Sequence, residues 1–196
     1  MHRGIFATLL LAYACRAMAG DLTFDVHDAN GKAVVDGVLY ATPVSGAAPA
    51  VSAGTRALID QVNKEFVPRV SIVQAGTEVH FPNSDNIRHS IYSFSPAKTF
   101  TTKLYSGREA APVEFDKSGI VVLGCNIHDR MVAWLYVVDT PWFAVTGSDG
   151  SATLRELPSG DYRVTVAAPA ASLATATTVV HVDAAPARHA FTLAGT

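Results

Sequence analysis

The sequence predicts an all-β protein, and three observations support this. Short runs of β-branched and aromatic residues alternate with turn signals along the chain. No long stretch has the apolar spacing of an amphipathic helix. Turn dipeptides such as Asn30-Gly31 and Asp149-Gly150 separate the runs. The predicted strands are Leu22–Val26, Val34–Ala41, Val70–Val73, Thr77–Phe81, Ser90–Phe94, Ile120–Leu123, Val132–Val138, Ser151–Leu154, Tyr162–Ala167 and Thr177–Val182.

The composition is that of a globular protein with a substantial core. Of the 196 residues, 49% are hydrophobic and 16% are charged, which allows one large domain or two small ones. Basic residues number 15 and acidic residues 17, without a basic stripe, so nucleic acid is not an expected partner. Paired carboxylates and phosphate-binding loops do not stand out, so the sequence does not predict an enzyme.

Residues 1–19 have the pattern of a secretory signal peptide. A positive start at His2-Arg3 precedes the short apolar stretch Ile5–Ala14, and Ala17-Met18-Ala19 supplies a small-x-small cleavage site. The apolar stretch is too short to cross a bilayer, so no transmembrane segment is expected. The sequence therefore predicts secretion into the periplasm.

The two cysteines bear on the fate of the leader. A lipid anchor on Cys15 is the alternative to soluble secretion, since Ala12-Tyr13-Ala14-Cys15 weakly resembles a lipobox with Ala where Leu is usual. Cleavage after residue 19 would leave Cys125 as the only cysteine in an oxidising compartment. Cys125 is then either a buried inert residue or one committed to chemistry.

Two composition breaks divide the chain. Residues 43–54 are rich in Ala, Gly, Ser and Pro, and Pro141 ends a continuous apolar strand. These breaks separate a middle segment, 55–140, from the flanking segments 20–54 and 141–196.

The flanking segments resemble two parts of one transthyretin-like, Ig-like β-sandwich of the carboxypeptidase-regulatory type. The matching strings are Val26-x-Asp28-x-Asn30-Gly31-Lys32-x-Val34 with Val38-Leu39-Tyr40, and Thr146-x-x-Asp149-Gly150 with Leu157-Pro158-Ser159-Gly160-Asp161-Tyr162. Neither part has enough strands to bury a core alone. We therefore expect a discontinuous sandwich, 20–54 with 141–196, into which 55–140 is inserted. Two domains in tandem are the alternative.

One loop carries the residues that predict chemistry. Cys125, His128 and Met131 follow each other at a spacing of three between two apolar strands, and His89 stands upstream at the start of another predicted strand. Two imidazoles, a thiolate and a weak axial thioether suit a copper ion that cycles between Cu(I) and Cu(II). The sequence therefore predicts one mononuclear type 1 (blue) copper site with His89, Cys125, His128 and Met131 as ligands.

Three alternatives compete with copper. A structural zinc site uses four strong ligands, and Met is not among the usual set. A Cys–His nucleophile would need an orienting third group and a pocket, and would leave Met131 without a role. A buried cysteine with unrelated His and Met residues would not explain why three such side chains share one loop.

The middle segment resembles a cupredoxin, the family of plastocyanin, azurin and amicyanin. The matching residues are Gly76-Thr77, Val79, Phe81-Pro82-Asn83, His89, Phe115, Gly119-Ile120-Val121 and the Cys125-x-x-His128-x-x-Met131 loop, whose spacing is that of amicyanin. Phe94-Ser95-Pro96-Ala97-Lys98 and Cys125-Asn126-Ile127-His128-Asp129 also resemble methylamine utilisation proteins. The resemblance implies a Greek-key β-sandwich. We expect Tyr92, Phe94 and Phe100 to be core residues.

The chain departs from the cupredoxin pattern next to two ligands. Ser90 stands where many cupredoxins have an Asn that braces the ligand loop, and Asn83 and Asn86 are candidates for that task. Asp129 and Arg130 follow His128, where electron-transfer cupredoxins often expose apolar residues.

The resemblance implies a one-electron carrier that exchanges electrons with a dehydrogenase or a cytochrome, with His128 as the electron port. A copper buffer or delivery protein without an electron-transfer role is the alternative. A third hypothesis, an adhesive or carbohydrate-binding module, depends on the outer sandwich alone.

Overall fold

The structure is a computed structural model that describes residues 19–107, 110–168 and 175–194. Cys15 and the predicted signal peptide up to residue 18 lie outside the described residues. No described segment is a helix of the length and hydropathy needed for a membrane span. The described residues form an all-β structure of seventeen strands: β1 Ala19–Asp28, β2 Val38–Pro43, β3 Arg56–Leu58, β4 Asp60–Val62, β5 Glu65–Val67, β6 Val70–Gln74, β7 Thr77–His80, β8 Ile91–Ser95, β9 Lys98–Thr101, β10 Val113–Phe115, β11 Gly119–Cys125, β12 Val132–Val138, β13 Phe143–Val145, β14 Ser151–Pro158, β15 Gly160–Ala167, β16 Thr175–Val182 and β17 Ala187–Leu193.

The strands from β3 to β12 surround one apolar core. A five-stranded sheet has the order β6-β12-β11-β8-β9, and a three-stranded sheet has the order β10-β7-β3. The hairpin β4-β5 adds Phe66 to the core of this unit. In β4, β5 and β7 buried residues alternate with more exposed ones, as expected for strands of a sandwich with one face on the core. The buried core residues are Ile59, Phe66, Val73, Val79, Phe81, Ile91, Phe115, Val121, Leu123, Cys125, Met131, Ala133, Leu135 and Val137.

The strands at the two ends of the chain share two further sheets. In one sheet, β1 pairs in antiparallel with β14 and in parallel with β17. In the other, β2 lies between β13 and β15, and β15 also pairs with β16. Strand β2 therefore takes its hydrogen-bonded partners from the chain after Pro141. The core between these sheets contains Leu22, Phe24, Val26, Leu39, Ala41, Ala152, Leu154, Leu157, Tyr162, Val164, Val166, Val180, Val182 and Leu193.

A small apolar cluster joins the two cores. Val38 and Ala167 of the end strands pack with Val70 and Tyr136 of the middle strands. The Thr140 hydroxyl donates a hydrogen bond of 2.7 Å to the carbonyl oxygen of Ala41 beside this cluster. The outer face of the five-stranded sheet is therefore partly covered by the end strands.

Two details differ from the sequence-based expectations. The strand predicted from Val34 begins at Val38, because Asp36 has a φ of 58° that interrupts extended backbone. Phe94 was predicted in the core, which is wrong: it is 78% exposed. In β8 the inward positions belong to Ile91 and Ser93, so the alternation of a strand turns Phe94 to the outer face.

Candidate metal centre

Strand pairing brings the predicted ligands to one end of the middle sandwich. Cys125 is the last residue of β11, and it pairs with Ile91 of the antiparallel strand β8. His89 lies just before that strand, where its backbone N–H donates 2.9 Å to the carbonyl oxygen of Tyr105 and its carbonyl accepts 2.9 Å in return. This pair of reciprocal hydrogen bonds between the two loops fixes the backbone of His89 beside Cys125.

The donor atoms of three side chains converge on one point. Cys125 Sγ lies 3.5 Å from His89 Nδ1 and 3.9 Å from His128 Nδ1. All three atoms lie within 4.8 Å of one another, and the two imidazole rings are tilted by 56°. Ligands bound at about 2.0–2.3 Å around one ion in a trigonal plane lie roughly 3.5–4 Å apart. The spacing of these atoms therefore fits a single metal ion.

The centre is mostly closed to solvent. Cys125 is 4% exposed and His89 is fully buried, whereas His128 is half-buried in the loop between β11 and β12. The neighbouring Ile127 is exposed. The His128 side is therefore the more open side of the centre.

Met131 closes the ligand loop. Its backbone N–H donates a hydrogen bond of 2.9 Å to the carbonyl oxygen of His128, which makes a tight turn. Its side chain is 1% exposed and belongs to the same core cluster as Cys125. A neutral, polarizable thioether is thus packed into the core to which Cys125 also belongs.

A carboxylate contacts the far side of the His89 ring. His89 Nε2 lies 2.7 Å from Asp85 Oδ2. The same carboxylate accepts hydrogen bonds from the backbone N–H groups of Asn63, at 2.6 Å, and Lys64, at 2.9 Å. Partial burial opposes ionisation of Asp85, but the hydrogen bonds from Lys64, His89 and Asn63 outweigh it and lower the pKa of this carboxyl below its usual value.

The donors to Asp85 come from the turn of the hairpin β4-β5. Asn63 and Lys64 both have positive φ, 55° and 65°. Two consecutive residues of positive φ in a two-residue hairpin loop form a type I′ turn. This conformation directs both central N–H groups toward Asp85, so the hairpin holds the carboxylate in place.

Side-chain hydrogen bonds brace the two loops that carry the ligands. The Asn83 amide donates to the carbonyl oxygens of Ile87 and Tyr105, both at 3.0 Å. The Asn126 amide donates 3.0 Å to the Ser90 hydroxyl, so the residues that follow each of two predicted ligands are bonded to one another. Asn83 and Ser90 thus share the bracing that the sequence placed at either Asn83 or Asn86.

Asp85 is the residue of this centre that sequence reasoning missed. An acidic residue four positions before His89 was the available signal, but the loop between them is irregular. Its contact with His89 depends on the turn at Asn63 and Lys64, which lies elsewhere in the chain.

No family matches the chain, and no curated protein does. The copper-containing nitrite reductase of Thermus scotoductus is 26% identical over 49% of this chain, with a TM-score of 0.40. This chain covers 25% of the length of that reductase.

Two other solved structures are smaller proteins. A reduced amicyanin variant is 18% identical over 50% of this chain and 98% of its own, with a TM-score of 0.39. A purple cupredoxin from Nitrosopumilus maritimus is 20% identical over 42% of this chain and 98% of its own, with a TM-score of 0.37. Each of these likenesses spans half of this chain or less.

Proposed function

We propose that this chain binds one copper ion in a type 1 site and carries single electrons in the periplasm. His89, Cys125 and His128 would form the trigonal plane, and Met131 would be the weak axial ligand. The observation that carries the proposal is the convergence of Cys125 Sγ with His89 Nδ1 and His128 Nδ1, at 3.5 and 3.9 Å. Copper in such a site supplies reversible one-electron chemistry.

Zinc fits the same atoms less well. A structural zinc ion takes four strong ligands, and a catalytic one keeps a position open to water. Here the fourth proposed ligand is the thioether of Met131, which is 1% exposed. A soft, weak donor in a dry position is what copper accepts and zinc does not use.

The contacts from Asp85 to His89 and from His89 to Cys125 also resemble a catalytic arrangement in which an acid orients a base and the base activates a nucleophile. Such a cysteine must reach a substrate. Cys125 is 4% exposed and His89 is fully buried, so little of the sulfur is accessible to a substrate. The same closure supports a protein that is not an enzyme.

Burial also favours a carrier over a copper-delivery protein. A delivery protein must release its ion to a partner, which is easiest when several ligands are accessible. Here only His128 among the four proposed ligands is more than slightly exposed. Electrons can pass through the half-buried imidazole while the ion stays in place, and a dehydrogenase or a cytochrome would dock at this side.

We further propose the domain division as expected: a secreted chain with a copper domain, 55–140, inserted between the parts 20–54 and 141–196 of an outer sandwich. The pairing of β2 with β13 and β15 supports this division. Two chain crossings, together with the cluster around Tyr136, would hold the His128 side at a fixed angle to the outer sandwich.

The deciding experiment is titration of the purified protein with Cu(II), followed by visible spectroscopy and voltammetry. We expect one ion per chain, an intense thiolate-to-copper charge-transfer band and a reversible one-electron wave. Stoichiometric Cu(II) without that band would refute the type 1 site. Rapid transfer of Cu(I) to a chelator, without a reversible wave, would favour delivery over electron transfer.

A further inference from the structure

The Asp85 carboxylate accepts three hydrogen bonds, and one of them comes from a proposed metal ligand. Its two oxygens accept from the N–H groups of Asn63 and Lys64 and from Nε2 of His89. Its side chain is 10% exposed, so solvent screens it little. The position of the negative charge is therefore set by the hairpin turn and not by His89 alone.

This arrangement selects one tautomer of His89. An ionised carboxylate can only accept hydrogen bonds, so Nε2 of His89 must carry the proton at 2.7 Å from Asp85 Oδ2. A neutral imidazole has one N–H, and the lone pair then lies on Nδ1. Nδ1 is the atom that faces Cys125 Sγ at 3.5 Å.

The charge also acts on the metal through the ring. A carboxylate that accepts the outer N–H of a ligating imidazole raises the basicity of that ligand. A more basic ligand and a nearby negative charge both stabilise Cu(II) more than Cu(I), because the oxidised ion carries the greater charge.

We propose that Asp85 is a positioning residue of the copper site, which holds His89 as the Nε2–H tautomer so that Nδ1 faces the metal, and which lowers the reduction potential. This inference deepens the proposed function and depends on it. It concerns a carboxylate held by a separate hairpin, outside the four proposed ligands.

The test compares Asp85→Asn with a matched variant, Asp60→Asn. Asp60 is the first residue of β4, in the same hairpin as Asn63 and Lys64. Its carboxylate accepts hydrogen bonds from the Ser84 backbone N–H, at 3.2 Å, and from the Ser84 hydroxyl, at 2.7 Å, next to Asp85. Both variants remove one negative charge and keep the side-chain shape. Only Asp85 bonds to His89 among these two residues.

We expect Asp85→Asn to weaken Cu(II) binding by about 10- to 100-fold, a range typical of loss of such an outer partner. Cu(I) binding should change less, and each tenfold change in the ratio of the two affinities raises the potential by about 59 mV. Asp60→Asn should shift the potential much less. Equal shifts in the two variants would overturn the inference.

A second measurement does not depend on any variant folding. The ¹⁵N spectrum of the imidazole rings in the metal-free and Cu(I) forms of the wild-type chain reports which nitrogen carries the proton. We expect His89 to show a protonated Nε2 in both forms, and a proton on Nδ1 in the metal-free chain would overturn the inference. If the wild-type chain takes up Cu(II) without a charge-transfer band, the proposed function fails. If the wild-type chain is blue but Asp85→Asn has the same reduction potential, only the present inference fails.

Discussion

Cys125 Sγ lies 3.5 Å from Nδ1 of His89, a residue 36 positions earlier in the chain. The antiparallel pairing of β8 with β11 brings them together, and hydrogen bonds between the loops keep the His89 backbone in place. The donor atoms are thus held by the sandwich itself. We therefore expect small rearrangement of the side chains between the two oxidation states of a bound copper ion.

Replacing the sulfur ligand should abolish the colour. We expect Cys125→Ser to lose the charge-transfer band and to bind Cu(I) far more weakly, because a neutral hydroxyl replaces a soft thiolate. Visible spectra and competition with a Cu(I) chelator measure this. Asp129→Asn, an exposed change in the same loop, is the control and should stay blue. A blue Cys125→Ser protein would show that the ligand assignment is wrong.

Removing the axial donor should tune the site without emptying it. Met131→Leu keeps the volume of a buried side chain, so the free energy of unfolding should fall by less than about 1.5 kcal/mol. Copper should stay bound and the potential should rise, because Cu(II) loses more than Cu(I) when a donor is removed. Voltammetry of Met131→Leu measures this. Leu135→Met, which makes the opposite exchange of Leu and Met in the same core, is the control. Loss of copper from Met131→Leu would contradict a weak axial role.

The Tyr136 hydroxyl should cost stability. It is buried, and no described residue offers it a hydrogen bond. A buried hydroxyl without a partner costs about 1–3 kcal/mol. We expect Tyr136→Phe to unfold at a higher denaturant concentration than the wild-type chain at neutral pH, by about 1 kcal/mol. A variant clearly less stable than wild type would mean that the hydroxyl has a partner.

The same residue predicts a dependence on alkaline pH. Burial raises the pKa of Tyr136 to about 12, with a smaller contribution from Tyr40. In the unfolded chain the pKa is about 10, so the folded chain keeps the proton longer as pH rises. The cost of the buried hydroxyl is therefore constant below pH 10 and grows as pH rises from 10 towards 12, by up to about 1.4 kcal/mol per pH unit, because only the unfolded chain ionises in that range. Denaturant unfolding at several alkaline pH values should therefore show the advantage of Tyr136→Phe growing, and a constant difference would contradict this.

A cavity in the outer sandwich should spare the copper site if the chain is divided as proposed. Phe24 is fully buried and its ring stacks on His189, with centroids 5.4 Å apart. We expect Phe24→Ala to destabilise the outer sandwich by about 3–5 kcal/mol while the copper spectrum stays unchanged. Thermal unfolding followed by the copper band and by far-UV circular dichroism measures the two parts separately.

The matched variant for that experiment is Phe115→Ala. Phe115 is equally buried, but it packs against Phe81 in the middle sandwich, with centroids 6.5 Å apart. We expect Phe115→Ala to destabilise the copper domain and to lose the copper band at a lower temperature than Phe24→Ala does. Loss of the copper band in Phe24→Ala at the same temperature as in Phe115→Ala would argue against two separate units.

Local patterns explain why much of the architecture could be predicted. Strands β11 and β12 are continuous apolar runs, and apolar and polar residues alternate from Tyr162 to Val166 in β15, so these strands are visible in the sequence. The short strands were missed because three residues carry no period, as in β3, β4 and β5. Phe94 was misplaced because hydrophobicity alone does not say which side of β8 faces inward, and the inward position is Ser93.

The sequence by itself determined that the chain is all-β and which residue types stand in the Cys125-His128-Met131 loop. Both are local properties, since side-chain alternation and a spacing of three within one loop need no distant partner. Only the tertiary structure decided that His89 meets Cys125 and that Asp85 meets His89. The first contact depends on which strand pairs with β11, and the second depends on a turn at Asn63 and Lys64 that donates to a loop about twenty residues away.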